Sequence, residues 1–452
     1  MQSRRTLLAL AVIGTAATAM LTACATSSSP SYTERPPIVF MHGNGDSAAL
    51  WQTTIWRFES NGWPRDRLFA VDQPNPLARD DDAVAQPGRS STTESVAFLK
   101  AEVDRVLKTT GAAKVVLIGN SRGGNTIRNY VQNGGGVSTV SHVVLGGNPA
   151  HGIWAVKGFR ENNEFSALSP FMRQLNAPKG PNGDEATPGV KWLTLRSDNN
   201  DKYAQPDGVW IGAPGKPTNI GFDGPALKGA TNVVLPRVDH RETSFSPAAF
   251  AATWQFLTGE APRSTAVVPE ANVVLDGRVT SAENLPLAGA QLAIYAVDPA
   301  TGMRRGDAVH SKTVGADGRW GPFSARGDTA YEFVVSASGG ITHIYRGPFP
   351  RSSSVIHLRP ERLTPADSGA NAVVVFTRPR GYFDAQRDTV RFDGQSPPAG
   401  VPPKGAGVST SRLRLEGGGA PRAVTGEFNG ERVTGLTWPA ANEHTTVLEL
   451  TY

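Results

Sequence analysis

The first half of the chain alternates two hydrophobic patterns. Short apolar-rich runs stand at Pro37 to Met41, Leu68 to Val71, Val115 to Ile118, His142 to Leu145, Lys191 to Arg196 and Asn232 to Leu235. They are too short for helices and suit strands buried on both faces. Between them apolar residues recur at three- and four-residue steps: Val96, Leu99, Val103, Val106 and Leu107 in one stretch, and Ile127, Tyr130 and Val131 in another. Trp51 to Phe58 and Pro247 to Leu257 also read as helices. Ser91-Thr92-Thr93-Glu94 is a capping box that opens the second helix, and Gly134-Gly135-Gly136 stops the third. Strand and helix in turn predict a mostly parallel sheet covered on both faces.

After a linker from Gly259 to Pro269, rich in Pro, Ser and Thr, the period drops to two. Leu292, Ile294 and Ala296 face one way, and Tyr331, Phe333 and Val335 repeat the pattern. Asp317-Gly318 reads as a hairpin turn between such runs. The expectation is α/β architecture over residues 37–258, then an all-β half divided into segments 271–360 and 361–452.

Composition changes this picture little. A length of 452 residues holds two ordinary domains, each with its own core. The net charge of +5 is small for that length, and no basic run is dense enough to follow a phosphate backbone, so nucleic acid is not an expected partner. Asp80-Asp81-Asp82 reads as a solvated turn, and neither a metal nor a cofactor is expected.

The first residues read as an address. Arg4-Arg5 precede an apolar run from Thr6 to Leu21, and Leu21-Thr22-Ala23-Cys24 resembles the lipobox of bacterial lipoproteins. Ser3-Arg4-Arg5 with Leu7 also resembles a twin-arginine export signal. The resemblance implies lipidation at Cys24, the single cysteine of the chain, and a tether over residues 25–36. It implies export, with either a lipid anchor at the bacterial cell envelope or secretion, and Ala25 in place of Asp favours the outer membrane for the anchored form.

The chemistry centres on Gly119-Asn120-Ser121-Arg122-Gly123, a G-x-S-x-G set between a buried strand and an amphipathic helix. That context makes Ser121 the candidate nucleophile. His240, in Val238-Asp239-His240, lies beyond an acid-bearing loop and before the last helix of this half, which makes it the candidate general base. Asp239, its neighbour in sequence, is poorly placed to reach its ring. Acids stand at Asp201, Asp198 and Asp207, the last more naturally the start of an Asp-Gly turn. Ser, Asp, His is the chain order of the α/β-hydrolases.

Residues 36–258 resemble an α/β-hydrolase of the lipase and carboxylesterase type, matched by His42-Gly43-Asn44-Gly45, the serine pentapeptide, and the Asp and His loops. The resemblance favours Asp201, followed by Gln205-Pro206, over Asp198 as the triad acid. It implies an oxyanion hole made of the backbone amides of Asn44 and Arg122. Arg122 departs from the smaller residues common after the serine and is expected at the rim. Asn148 stands where some lipases carry their acid and cannot supply the charge, and His151 matches a structural histidine of bacterial lipases. The apolar stretch Ile153 to Leu175 is expected either to cap the site and bind acyl chains or to pack as a helix on the core. Residues 271 to about 360 resemble sandwich modules of the transthyretin or carboxypeptidase-regulatory kind, through Pro286-Leu287-Ala288-Gly289-Ala290 and Trp320-Gly321-Pro322-Phe323. The whole resembles two-domain lipases in which a β domain helps to hold long acyl chains, and implies hydrolysis of carboxylic esters of lipids. The rival readings are an aliphatic polyester depolymerase, an amidase, and a non-catalytic surface lipoprotein.

Overall fold

The computed structural model describes residues 35–417 and 421–452. The expected export signal, Cys24 and the tether up to Glu34 lie outside them.

Six strands form the sheet of the first domain: β1 (Ile38–Met41), β2 (Leu68–Val71), β3 (Val115–Asn120), β4 (Val140–Gly146), β5 (Lys191–Ser197) and β6 (Thr231–Leu235). Their order is β2-β1-β3-β4-β5-β6, with every neighbouring pair parallel. β3 is buried at all six positions because both faces are covered. One face packs on α2 (Thr92–Thr110) and α3 (Arg122–Asn133), through Leu99, Val103, Val106, Ile127 and Val131. The other packs on α1 (Gln52–Ser60) and the last helix of the domain (Pro247–Thr258), through Trp51, Phe58, Phe250 and Trp254. The capping box at α2 is complete: Glu94 N–H donates to Ser91 Oγ at 3.2 Å and Ser91 N–H to Glu94 Oε2 at 2.7 Å. Asp82 adds to that terminus, accepting from Thr92 N–H at 2.8 Å, so part of the acidic run orders a helix start.

The second half is rich in antiparallel strands. A seven-stranded sheet contains β7 (Gln291–Val297), β8 (His310–Thr313), β9 (Ala330–Ala337), β10 (Gly340–Arg346), β11 (Ala372–Thr377), β12 (Thr410–Leu415) and β13 (His444–Glu449). Its order is β8-β7-β9-β10-β13-β11-β12. β13 lies between β10 and β11, parallel to both, so the sheet runs straight across position 360, where the sequence suggested a division. A second expectation is corrected. Asp317-Gly318 is a turn, with Gly318 at φ 76° and its N–H on Gly315 O at 3.0 Å, but it does not close a hairpin. It leads from β8 on the edge of the large sheet to Phe323–Ala325, which pairs with Val273–Leu275 in a separate ribbon. A period of two marks strands and their turns, and it carries no information about which strand is the partner.

The two halves share buried contacts. Trp56 of α1 belongs to a core of the β half beside Trp320, Phe333 and Phe349, and its indole N–H donates to Ser352 O at 2.8 Å. His357 Nε2 lies 2.6 Å from Asp72 Oδ2, and Ala48 N–H donates to Asp72 Oδ1 at 2.8 Å.

Candidate active site

Ser121 stands between β3 and α3 with φ 51° and ψ −122°, a combination that L-residues hold only when their surroundings enforce it. The flanking glycines show how. A Cβ on Gly123 would lie 2.5 Å from the carbonyl oxygens of both Met41 and His42, and one on Gly119 would lie 2.9 Å from Gly124 N. Both are backbone contacts that cannot swing aside, so any larger residue would force the turn open. Around the serine, Ser121 N–H donates to Gly146 O at 3.0 Å, and Asn148 Nδ2 donates to Ser121 O at 2.9 Å. Asn148 thus serves as a backbone clamp for the turn.

The other end of the site is a buried hydrogen-bonded pair. Asp201 Oδ2 lies 2.8 Å from His240 Nδ1, with the two side chains 2% and 4% exposed. Asp201 Oδ1 accepts from Tyr203 N–H at 2.9 Å, which fixes the carboxylate. The Tyr203 ring packs edge-on against the imidazole, centroids 4.7 Å apart, and burial pushes its phenol well above the ordinary value. With Nδ1 engaged by the carboxylate, Nε2 is the nitrogen left for a proton transfer. Among the described residues neither His240 Nε2 nor Ser121 Oγ has a hydrogen-bond partner in the protein.

The serine and histidine turns are adjacent. Asn120, the residue before Ser121, uses its amide to donate to Gly146 O at 3.1 Å, His240 O at 3.3 Å and Ser244 Oγ at 2.8 Å. A Cβ on Gly147 would lie 3.1 Å from His240 Nδ1. Sequence reading passed over Asn120, because one polar residue inside a motif carries no mark of a bond made 120 residues away.

The remaining acids are occupied elsewhere. Asp198 Oδ1 accepts from Asn199 N–H at 2.8 Å and Arg237 N–H at 3.1 Å, in the turn leading out of β5. Asp207 accepts from Val209 N–H at 2.9 Å in a local turn. Asp239 is fully buried and caps the helix after His240, accepting from Arg241 N–H at 2.8 Å and Glu242 N–H at 2.9 Å. His151 bridges Gly224 O and Glu185 Oε1, each at 2.9 Å, a packing role that raises its pKa mainly through the Glu185 bond.

Asn44 is exposed, and its side-chain oxygen accepts from Ala78 N–H at 2.7 Å, which ties its loop to the neighbouring one. Behind it, His42 Nδ1 donates to Gly43 O at 2.9 Å while Nε2 accepts from Gln73 N–H at 3.1 Å. Burial lowers the pKa of that ring, in keeping with a neutral, fixed tautomer. Among the described residues the backbone amides of Asn44 and Arg122 donate to no protein acceptor, which leaves two N–H groups free next to Ser121.

The Arg122 side chain departs from expectation. It is 2% exposed and lies inside the protein. Its Nε and Nη2 pair with Glu164 at 2.7 and 2.9 Å, and the remaining N–H groups reach Pro76 O, Ser90 Oγ and Ser90 O at 2.7 to 2.9 Å. All five donors are used, which is what a buried guanidinium requires. Burial pushes the Glu164 carboxyl up, against the pull of Arg122. The ion pair fastens the apolar excursion to the serine turn. Within 153–175 only Pro170–Leu175 is helical, and it packs with Met172 and Leu175 buried, so the expected packed helix covers only the end of the excursion. Ile153, Trp154 and Phe165 are instead buried with Ala78, and Tyr203 packs against that cluster. An apolar wall therefore reaches from the excursion to the ring that touches His240.

Residues 36–177 match the family model described as the alpha/beta hydrolase fold, and residues 271–363 match the lipase C-terminal domain. Among solved structures, the lipase BlEst2 of Bacillus licheniformis in its propeptide form is similar over 90% of this chain and 95% of its own, at 16% identity and a TM-score of 0.38. Lipase B of Aspergillus fumigatus is similar over 52% of this chain and 55% of that one, at 13% identity and a TM-score of 0.37. The esterase RhEst1 of a Rhodococcus species is similar over 50% of this chain and 91% of its own, at 16% identity and a TM-score of 0.30.

Proposed function

We propose that this chain, in which an α/β-hydrolase-fold domain precedes a lipase C-terminal domain, cleaves carboxylic esters of lipids through a Ser121, Asp201, His240 triad. The observation that carries the reading is the buried Asp201 to His240 pair beside a serine held in a strained turn. His240 Nε2 takes the proton of Ser121 as the hydroxyl attacks the ester carbonyl. Asp201 keeps the proton of the ring on Nδ1 and stabilises the imidazolium that forms. The free amides of Asn44 and Arg122 receive the oxyanion, each such donor being worth about 100- to 1,000-fold in kcat. The alcohol leaves with the proton returned by His240, and water then releases the acid by the same route.

The apolar wall of Trp154, Phe165 and Tyr203 favours acyl chains of medium or long length. A full-length panel of p-nitrophenyl esters from about two to sixteen carbons tests this against fluorophosphonate labelling. Turnover and labelling should both be lost in Ser121→Ala, by at least ~10,000-fold in kcat. Turnover of acetate alone would remove the lipid ester from the reading, and full activity of Ser121→Ala would remove the triad.

The protein is further proposed to be exported and held at the bacterial cell envelope by lipid on Cys24, on the strength of the apolar segment and Leu21-Thr22-Ala23-Cys24. Cys24→Ser should move the protein from the membrane fraction to the soluble one. An unchanged distribution would overturn the anchor.

A further inference from the structure

The turn that carries His240 is gripped from outside its own domain. After β11 the β domain sends out the segment Arg378 to Arg387, which wraps residues 237–242. The Arg378 side chain is 3% exposed. Its Nη1 donates to Asp239 Oδ2 at 2.9 Å and to Tyr382 O at 2.7 Å. Nη2 donates to Glu242 Oε1 at 2.6 Å, and Nε to Tyr452 O at 3.0 Å. Tyr382 N–H donates to the same Asp239 oxygen at 2.7 Å. On the far flank Arg387 pairs with Glu242 and donates to Arg237 O at 2.8 Å, while Arg241 Nη1 returns a bond to Pro379 O at 3.1 Å.

This arrangement has a mechanical consequence for His240. The oxygen of Asp239 that faces its own helix caps Arg241 and Glu242, the two residues directly after the histidine, and the opposite oxygen is held by the β domain. The capped turn is therefore one rigid piece whose outer side belongs to the second domain. Asp239 and Glu242 are buried carboxylates side by side. Burial and Asp239 both push the Glu242 carboxyl up, and Arg378 and Arg387 oppose them. Without Arg378 the repulsion between the two acids is opposed by Arg387 alone, and Asp239 Oδ2 keeps only the Tyr382 amide as a donor, which loosens its capping geometry.

We infer that Arg378 is a positioning residue for the general base, so that the β domain completes the catalytic geometry of the first domain rather than only adding binding surface. The inference rests on the triad reading above. Arg378 touches no reacting atom and acts by setting where the His240 ring stands. A displacement of the ring by about 1 Å lowers the chemical step by on the order of 100-fold while leaving ester binding in place.

The test uses the full chain with a p-nitrophenyl ester at a temperature below the unfolding midpoint of every variant. Arg378→Met is expected to lower kcat by about 30- to 100-fold with KM changed by less than about threefold. Arg378→Lys keeps the charge without the two-pronged reach and should recover part of the loss. The lysine variant also carries the test if the methionine variant does not fold, with an expected fall of about 5- to 20-fold. The control is Arg351→Met, which removes another cross-domain cation, bonded to Glu59 at 3.0 Å, away from the His240 turn. It should hold kcat within about threefold of the parent. A kcat for Arg378→Met within that margin, or an equal loss in Arg351→Met, overturns the inference and leaves the triad standing. Ester turnover that survives Ser121→Ala overturns the triad, and this inference with it.

Discussion

Ser121 and His240 sit on turns supported in different ways. The serine turn is held by residues close in the chain or in the adjoining strands: the glycines at 119 and 123, the carbonyls of Met41 and His42, Gly146 O and Asn148. The histidine turn takes its support from Asn120, Asp201 and Thr243 within the domain and from Arg378, Tyr382 and Arg387 beyond it. One turn is a backbone shape enforced by close approach. The other is a loop whose place depends on charges that arrive from distant segments. Steric enforcement fixes Ser121 at the end of its strand, where it is 6% exposed. His240 is held at ring Nδ1 by Asp201 and at its backbone carbonyl by Asn120 and Thr243, which takes a polar network.

The sharpest way to break this contrast is at the acid. Asp201→Asn leaves the shape and removes the charge that favours the working tautomer, and kcat should fall by about 10,000-fold. Asp198→Asn, in the adjoining turn, should stay within about tenfold if the network runs through Asp201 alone. Steady-state kinetics on both variants decides between them, and equal losses would move the acid to a shared role.

The serine turn is tested next by Gly123→Ala. The added methyl meets two carbonyl oxygens at 2.5 Å, so the strand or the turn must shift. A stability loss of about 1 to 3 kcal/mol is expected in urea unfolding. A kcat loss of about 100-fold should accompany it, from misplacement of the hydroxyl. Normal activity would show that the turn tolerates far more movement than its packing implies.

The smallest effect probes the domain seam away from both turns. Although burial pushes the Asp72 carboxyl up, the His357 ring and the Ala48 amide outweigh it and hold it below the usual range. A carboxyl with a depressed pKa contributes stability above its unfolded value, near 3.9, and loses that contribution as the pH falls through the folded value. The parent should therefore lose about 1 to 3 kcal/mol to acidification below about pH 4 in excess of Asp72→Asn. Activity at neutral pH should change little in that variant, which separates general docking of the domains from the grip on His240. Parallel acid profiles would exclude Asp72 as the group that titrates.

Much of the first domain was legible in the chain. The apolar runs marked β1 to β6 to within a few residues; β1 and β3, buried on both faces, leave a continuous apolar signature, whereas β2 and β6 are only partly covered. The capping box at Ser91 to Glu94 is local and was read as such. Arg122 departs from the rim position expected of it, because a guanidinium is ordinarily exposed and this one is buried. Its burial depends on Glu164 and on carbonyls at Pro76 and Ser90, none of which announces itself in sequence. In the same way the excursion from Ile153 to Leu175 has the apolar content of a helix without a sustained helical period, and it folds mostly as turns.

What the amino-acid order by itself determined was everything with a short range: strand and helix periods, caps, and the change to β structure after Gly259. Those features depend on backbone sterics and on contacts a few residues apart. The tertiary structure decided which aspartate meets His240, that Arg122 is buried, that the β sheet crosses position 360, and that the second domain grips the histidine turn. Each of these is a pairing of charges or strands far apart in the chain. Many partners of equal local merit exist for such a pairing, and only the packing of the whole chain selects one.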